Sequence, residues 1–320
     1  MNSPSRETPV LAVVVPCYNE EPVVEETARR LLEVLAGLKA KSKIDDGSFV
    51  CFVDDGSGDG TWGRVVALHS AHPEIGGIKL AKNVGHQNAL LAGILGIRRR
   101  ATCAISIDAD LQDDVGAIER MVDLFAEGND VVYGVRRQRD SDTMLKRQTA
   151  QLFYRFMRLM GVDLVYNHSD FRLLSRRVME SLAGFQEVNL FLRGIIPAIG
   201  FRSAKVHYDR GMRFAGESKY PLRKMLSFAF DGITSFSVVP LRVVTALGMI
   251  LFALSISLSI WVVASVFRGS VVPGWASTVL PIYLLGGLQL IGIGLVGEYI
   301  GKIYKEVKAR PRFITEEEIF

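Results

Sequence analysis

Two aspartates stand two positions apart, directly after a short apolar run. Asp108 and Asp110 follow the residues AISI, and side chains two apart in an extended strand point to the same side. Two carboxylates held together repel each other, so one pKa rises unless a cation neutralises them, and Mg²⁺ and Mn²⁺ prefer oxygen ligands. Gln112 could add another oxygen. The pattern favours a divalent metal site, with a solvated turn at a strand end as the alternative.

A second chemical pattern is the glycine-rich stretch FVDDGSGDGTWG, residues 52–63. Gly58, Gly60 and Gly63 have the G-x-G-x-x-G spacing of a dinucleotide-binding turn, but such a turn follows the first strand of its unit and needs an acid about twenty residues further on. Here an earlier apolar strand, residues 10–15, already comes first in the chain, and residues 78–80 offer no carboxylate for a ribose. Asp54 and Asp55 would also repel a pyrophosphate. We therefore predict a strand that ends in two acids, followed by a turn and a helix.

Both patterns lie within residues 10–135, where short apolar runs alternate with amphipathic stretches. This succession predicts an α/β fold, Rossmann-like, with a mostly parallel sheet covered on both faces. Ligands bind such sheets at the carboxyl ends of the strands. Five acids are expected at those ends, namely Glu20, Asp54, Asp55, Asp108 and Asp110.

The last third of the chain is more apolar than the rest. Residues 243–267 and 274–297 carry no charge, and each run exceeds the roughly twenty residues needed to cross a bilayer. We predict a transmembrane hairpin of two helices, with two buried core helices as the alternative. Lysines and arginines cluster at the outer ends of the hairpin, against Arg268 alone in its loop. The positive-inside rule then assigns the amino-terminal domain and both termini to the cytoplasm.

The segments beside the hairpin are basic. The net charge of +4 is concentrated there, which suits anionic lipid better than nucleic acid. Residues 221–240 mix basic and aromatic side chains, which predicts an amphipathic helix in the headgroup layer. The predicted domains are a cytoplasmic amino-terminal domain (1–220), this interfacial helix (221–240), two transmembrane helices (241–300) and a cytoplasmic tail (301–320). Gly297 and Gly301 could permit close helix packing or a homo-oligomer.

Five motifs carry a family resemblance: VVVPCYNE, FVDDGSGDGT, KNVGHQNALLAGI, IDADLQDD and RGMRFAGESKYP. Together they resemble glycosyltransferase family 2. The terminal hairpin narrows the resemblance to polyprenyl-phosphate glycosyltransferases of the bactoprenol glucosyltransferase type, similar also to dolichyl-phosphate mannose synthases. This resemblance implies a GT-A catalytic domain that uses a nucleotide sugar and a divalent metal, Mg²⁺ or Mn²⁺.

The resemblance also implies roles for residues that match the family's motifs. Asp108, Asp110 and Gln112 would hold the metal, and Arg213 and Lys219 would supply positive charge to the departing diphosphate. The residues implied in binding the nucleotide sugar are Pro16, Tyr18, Glu20, Val53, Asp55, Asp108, Ala109 and Arg136. The residues implied in catalysis are Asp110, Asp170, Arg213 and Lys219.

Asp170 matches an acid that is conventionally assigned as a general base. A phosphate monoester has a second pKa of about 6, however, so it is already mostly a dianion at neutral pH. Orientation of the acceptor or of Arg172 is therefore the alternative role for Asp170. Arg147 is predicted to contact the acceptor phosphate, and His86 is predicted to be structural or solvated.

The predicted reaction is the inverting transfer of a hexose to polyprenyl (undecaprenyl) phosphate at the cytoplasmic face of a bacterial-type inner membrane. Glucose from UDP-glucose is the preferred donor, and GDP-mannose or another nucleotide sugar is the alternative. A processive polysaccharide synthase would be expected to carry a Gln-x-x-Arg-Trp motif, which the sequence lacks. A non-enzymic membrane subunit is the remaining alternative.

Overall fold

The computed structural model describes residues 8–110, 112–136, 168–187, 192–209, 239–267 and 275–320. The chain divides into two compact units. The first contains Met1–Gln151, Leu164–Tyr220 and Ala309–Phe320, and the second contains Leu152–Asp163 and Pro221–Lys308. Arg147, Arg213, Lys219 and nearly all of the predicted interfacial helix lie outside the described residues.

The first unit begins with the alternation that the sequence predicts. The strands are β1 (Leu11–Cys17), β2 (Phe49–Asp54), β3 (Ile75–Leu80), β4 (Cys103–Ser106) and β5 (Val131–Arg136). The helices between them are α1 (Glu21–Ala40), α2 (Thr61–Ala71), α3 (His86–Ile97) and α4 (Ala117–Ala126). The described remainder of this unit contains β6 (His168–Ser175), α5 (Arg176–Ala183), α6 (Leu192–Ile199), β7 (Ser203–Tyr208) and β8 (Thr315–Ile319).

The strands form one sheet in the order β7-β5-β6-β4-β1-β2-β3-β8. Strands β1 to β4 pair in parallel, as do β5 and β7, whereas β6 is antiparallel to β4 and β5, and β8 is antiparallel to β3. The prediction of a mostly parallel, GT-A-like α/β fold is confirmed. The carboxyl ends of the parallel strands β1, β2 and β4 therefore lie on the same side of the sheet, where ligands bind in this architecture.

The core follows from the apolar patterns. Every residue of β1 is buried, as expected for a central strand covered on both faces. Helix α1 buries Val24, Leu31 and Leu35 against the sheet, and these positions share one helical face. Arg29 lies on the opposite face, where it bonds glutamates of its own helix. The three cysteines are free and buried.

Strand β8 gives structure to the segment that is predicted only as a tail. Its backbone pairs with β3, and Phe320 packs edge-on against Phe49 with ring centroids 5.9 Å apart. Trp62 donates to Glu317 at 3.0 Å, and Lys79 donates to Glu316 at 2.9 Å. The sequence TEEEI does not alternate between apolar and polar residues, so it does not by itself predict a strand. Its partners on the neighbouring strand and helix specify this strand instead.

The described part of the second unit consists of two long helices. They are α7 (Val239–Phe267), with 29 residues, and α8 (Trp275–Val307), with 33 residues. Apart from chain neighbours and the helix's own backbone, no atom of the described residues lies within 4 Å of where a Cβ on Gly297 or Gly301 would stand. Their predicted packing role therefore stays a prediction. No helix in the described residues combines the length and the apolar character of a membrane span. The predicted transmembrane hairpin is therefore not confirmed.

Candidate functional site

The sheet topology brings two distant acids together. Strand β6 runs antiparallel to β4, and Arg172 stands opposite Ser106 in the register. Asp170 precedes Arg172 by two residues and therefore lies beyond the carboxyl end of β4, where Asp108 follows. Ser106 Oγ donates to the backbone carbonyl of Asp170 and ties the two strand ends together. The two predicted site acids are thus neighbours, although 62 positions separate them in the chain.

An imidazole stands between these acids. His86 Nε2 lies 3.5 Å from Asp108 Oδ1 and 3.6 Å from Asp170 Oδ2. Burial alone would lower the pKa of His86, but the hydrogen bond to Asp170 and the charge of Asp108 raise it. His86 is the first residue of α3, so its place depends on where that helix begins. The expectation of a merely structural or solvated histidine misses this contact with both acids.

Asp170 is held by two arginines as well. Arg172 donates to Asp170 Oδ1, and Arg193 donates through Nε and Nη2 at 3.2 and 3.0 Å. Burial would raise the pKa of Asp170, yet the hydrogen bond from His86 and the two guanidinium groups hold it well below its usual range. A carboxylate this acidic is a poor proton acceptor near neutral pH. The arrangement is better suited to orienting neighbours than to taking a proton.

Asp108 has the opposite electrostatic environment. Burial, together with the charges of Asp113, Asp170 and Asp110, raises its pKa to about 6, although His86 opposes the shift. This is the repulsion expected of crowded carboxylates. A divalent cation would relieve it, because the charged form of Asp108 would then be neutralised.

The residues present fit a Mg²⁺ or Mn²⁺ ion. Such ions are commonly held by one or two carboxylates together with substrate phosphates, and Asp108 and Asp110 can supply the two carboxylates. Asp110 Oδ1 accepts a hydrogen bond from the backbone N–H of Gln112 at 3.1 Å, so the loop turns back on itself here. Thr27 Oγ1 donates to the carbonyl of the intervening Ala109 at 2.9 Å. No group of three or more acidic, histidine or cysteine side chains with metal-binding geometry occurs in the described residues.

Asp55 holds the loop that precedes α3. Its two carboxylate oxygens accept the backbone N–H groups of Val84 and Gly85 at 2.7 and 2.9 Å. Gly85 has a φ of 88°, a left-handed conformation that glycine adopts without strain. Burial raises the pKa of Asp55, while these two amide bonds oppose the rise. Asp55 therefore sets the start of α3 and the position of His86, and its predicted contact with the base or ribose stays a prediction.

The glycine-rich turn packs on the loop after β1. Gly58 N donates to Asn19 Oδ1 at 2.9 Å, and Glu20 N donates to Thr61 Oγ1 at 2.9 Å. A Cβ on Gly56 would lie 2.5 Å from the carbonyl carbon of Lys82. Gly56 therefore permits a close backbone approach between the two loops, whereas a Cβ on Gly58 or Gly63 of the G-x-G-x-x-G spacing would meet no atom nearer than 4.0 Å.

The predicted nucleotide pocket occupies the ends of β1 and β2. Pro16 and Val53 are register partners on these adjacent strands. Tyr18 follows β1 with 49% of its surface exposed, which is large for a tyrosine next to a buried strand. The tertiary structure thus gathers Pro16, Tyr18, Glu20, Val53 and Asp55 at the same edge of the sheet as the acidic pair.

Arg136 forms an ion pair of its own. Its Nη2 lies 3.3 Å from Asp113 Oδ1, and its Nε donates to the Tyr208 hydroxyl at 3.2 Å. Tyr208 in turn donates to Asp113, whose side chain is almost fully buried. This network joins the ends of β5 and β7 to the acidic loop. The predicted contact of Arg136 with the donor stays a prediction.

Two residues near the acidic cluster were not among the predicted site residues. Arg193 and Gln87 enter the site through helix ends, because Leu192 N donates to Gln87 Oε1 at 3.1 Å. Gln87 lies within the motif KNVGHQ, so its position could have drawn attention. The stretch around Arg193 has no spacing that predicts chemistry.

The fold and this site define a class of protein. The family model described as glycosyl transferase family 2 matches residues 12–183. The chain therefore belongs to glycosyl transferase family 2, and it is a glycosyltransferase.

Its relatives match over nearly the whole chain. It is 52% identical over 312 residues to the uncharacterized glycosyltransferase YkoT of Bacillus subtilis (strain 168), covering 98% of this chain and 93% of that protein. It is 37% identical over 311 residues to the bactoprenol glucosyl transferase of Shigella phage SfX, covering 96% and 98%. Among solved structures, mannosyl-3-phosphoglycerate synthase from Rubrobacter xylanophilus matches with a TM-score of 0.44 at 15% identity, covering 70% of this chain and 71% of that one.

Proposed function

We propose that this enzyme transfers glucose from UDP-glucose to polyprenyl phosphate at the cytoplasmic face of a bacterial membrane, with inversion at the anomeric carbon. The observation that carries the proposal is the link from Asp108 through His86 to Asp170. It joins Asp108, a predicted metal ligand, to Asp170 and the arginines around it. A reaction between two anionic substrates needs positive charge at both places. The name of the phage relative, bactoprenol glucosyl transferase, supports the choice of acceptor and sugar.

In the proposed reaction, an oxygen of the lipid phosphate attacks the anomeric carbon of the sugar. The new bond forms as the bond to the departing nucleoside diphosphate breaks, so a single displacement inverts the configuration. The acceptor phosphate is mostly a dianion at neutral pH and needs no base. The low pKa of Asp170 is consistent with a role in orientation.

Charge on the departing diphosphate has several proposed partners. Asp108, Asp110 and Gln112 would hold Mg²⁺ or Mn²⁺, which supplies a Lewis acid to the leaving group when bound. Arg213 and Lys219 would add positive charge, and Arg147 would contact the acceptor. Pro16, Tyr18, Glu20, Val53 and Asp55 would line the nucleotide pocket, with Arg136 nearby.

Attachment to a membrane is supported by exposed apolar surface. Six large apolar side chains on α7 and α8 are between 64% and 71% exposed: Met249, Ile250, Ile260, Leu290, Ile291 and Ile293. Large apolar side chains this exposed are candidates for a lipid or protein cover. Because β8 pairs with β3 in the first unit, the chain must return to that unit after α8, which supports a hairpin with both ends on one side.

The test supplies labelled UDP-glucose and polyprenyl phosphate to the purified full-length protein. We expect label in an organic-extractable, acid-labile species with one sugar, and accumulation should stop when the lipid phosphate is exhausted. Labelled GDP-mannose run in parallel tests the donor. Water-soluble chains of increasing length, or turnover that ignores added lipid phosphate, would overturn the acceptor assignment.

A further inference from the structure

One carboxylate in the cluster is surrounded by more cationic groups than it can neutralise. Asp170 bonds Arg172 and Arg193 and lies 3.6 Å from His86 Nε2. Both guanidinium groups keep their charge at any physiological pH, so this carboxylate and its two arginines carry one surplus positive charge. Asp108 is the other acid at His86, and a bound metal would take up its charge. The cluster is then an attractive place for an anion.

The two arginines differ in access. The side chain of Arg172 is 1% exposed, whereas that of Arg193 is 35% exposed. Arg172 Nη1 is buried and has no hydrogen-bond partner among the described residues. Arg172 therefore acts as the buried anchor of Asp170, and Arg193 has surface that a ligand can reach.

Helix α3 fixes both sides of this arrangement. Gln87 Oε1 accepts the backbone N–H of Leu192 and so holds the start of α6, where Arg193 is the next residue. The residue before Gln87 is His86, which contacts Asp108. His86 and Gln87, two successive residues of α3, thus connect Asp108 to the segment that carries Arg193.

We infer that Arg193 binds the phosphate monoester of the acceptor, with Asp170 and Gln87 as its positioning residues. The inference rests on the proposed function, because it identifies where that acceptor is held. A guanidinium presents a planar fork of donors that matches phosphate oxygens in pairs. The dianion also offsets the surplus charge around Asp170. The diphosphate of the donor has the same chemistry, so the experiment must separate the two sources.

The experiment compares Arg193→Gln and Arg193→Lys with the wild type by steady-state kinetics, varying polyprenyl phosphate and UDP-glucose separately. The control is Arg177→Gln, because Arg177 also pairs with a largely buried aspartate, Asp130, at 2.7 Å. We expect Arg193→Gln to raise KM for polyprenyl phosphate at least tenfold while KM for UDP-glucose stays within twofold. Arg193→Lys should raise KM for polyprenyl phosphate less than Arg193→Gln does, because lysine keeps the positive charge but lacks the planar pair of donors. Arg177→Gln should match the wild type.

Each contrary outcome has a distinct meaning. A rise confined to KM for UDP-glucose would assign Arg193 to the donor diphosphate and overturn the inference. A fall in kcat with both KM values unchanged, together with a lower unfolding temperature, would reduce Arg193 to a structural role and also overturn it. If the wild type transfers no sugar to the lipid, the proposed function fails, and direct binding decides the inference. The inference stands if the wild type binds polyprenyl phosphate more tightly than polyprenol and Arg193→Gln loses this preference. The inference is overturned if the wild type binds both lipids equally.

Discussion

Asp108 is the acid in the cluster that gains most from a bound cation. Its raised pKa arises from burial and from the charges of Asp113, Asp170 and Asp110, and the charge of His86 opposes that shift. Asp170, one strand away, has the reverse shift because His86, Arg172 and Arg193 all favour its charged form. Two carboxylates in one cluster thus have opposite electrostatic environments. Pairs whose environments push their pKa values apart are a common feature of active sites.

The first prediction concerns Asp108→Asn in the metal-free protein. The folded pKa of about 6 lies above the unfolded value of about 3.9, so ionisation of Asp108 destabilises the fold. That cost begins as pH rises through about 4 and is complete above about 6. Asp108→Asn should therefore raise the unfolding temperature at pH 7.5, with a smaller gain as pH falls toward 4. With Mg²⁺ or Mn²⁺ supplied, the same variant should show no transfer. A lower unfolding temperature at pH 7.5 would contradict the assigned environment.

A second prediction at this scale concerns Asp110→Asn, which removes a charge with little change in volume. We expect transfer to fall by about a hundredfold or more, as for loss of one electrostatic contact to a transition state, with the fold intact by circular dichroism. EDTA should have the same effect on the wild type and be reversed by Mg²⁺ or Mn²⁺. The control is Asp123→Asn, whose carboxylate pairs with Lys43 on the surface. Undiminished activity of Asp110→Asn in chelator would refute the metal assignment.

At the scale of elements, β8 protects the edge of the sheet. An unpaired β3 would present open backbone groups to other chains, and β8 covers them while Phe320 anchors the end. The guanidinium of Arg100 lies 4.4 Å from the centroid of the Phe320 ring. Ala81 N donates to Ile314 O at 2.9 Å, so the same segment also contacts the loop that leads toward His86.

A double-mutant cycle tests the anchor. A Cβ on Gly76 would lie 2.5 Å from Phe320 Cδ1, so Gly76→Ala should cost about 1–3 kcal/mol through overpacking. In a Phe320→Ala background most of that cost should vanish, because the ring is gone. Denaturant unfolding of the four proteins measures the coupling. The matched control is Gly63→Ala in α2, where a Cβ meets nothing within 4 Å and a gain of about 0.5–1 kcal/mol is expected. Additive costs would mean that Phe320 does not occupy this place.

At the scale of the whole molecule, the chain leaves the first unit and later returns to it. Residues Ala309–Phe320 belong to the same compact unit as β1 to β7, and β8 pairs with β3. A strand can pair only with a strand in the same compartment. Residues Ala309–Phe320 must therefore share a compartment with the candidate site, whatever surrounds α7 and α8.

Cysteine labelling tests the proposed hairpin. The native thiols Cys17, Cys51 and Cys103 are buried, so the wild type should label weakly and serves as the background. With a membrane-impermeant maleimide on intact cells stripped of their outer layers, Ser270→Cys, whose position lies between α7 and α8 in the sequence, should react. Glu318→Cys on the exposed side of β8 should react only after permeabilisation. Equal labelling of both positions from outside would refute the topology.

Local patterns in the sequence were enough to predict much of the secondary structure, the acidic pair and the family. The alternation of apolar runs predicted β1 to β5 and α1 to α4, because each element is specified by neighbours along the chain. The spacing of Asp108 and Asp110 predicted a metal site at a strand end, again from neighbouring residues alone. Five ordered motifs indicated the family, which its relatives confirm.

Only the tertiary structure decided how distant residues meet. Asp170 reaches Asp108 because β6 runs antiparallel beside β4, and Arg193 joins them because Gln87 holds the start of α6. The sequence TEEEI became a strand because β3 offered an open edge and Trp62 and Lys79 offered partners. Each of these depends on pairings between segments tens to hundreds of residues apart, and local periodicity carries no information about which segments will pair.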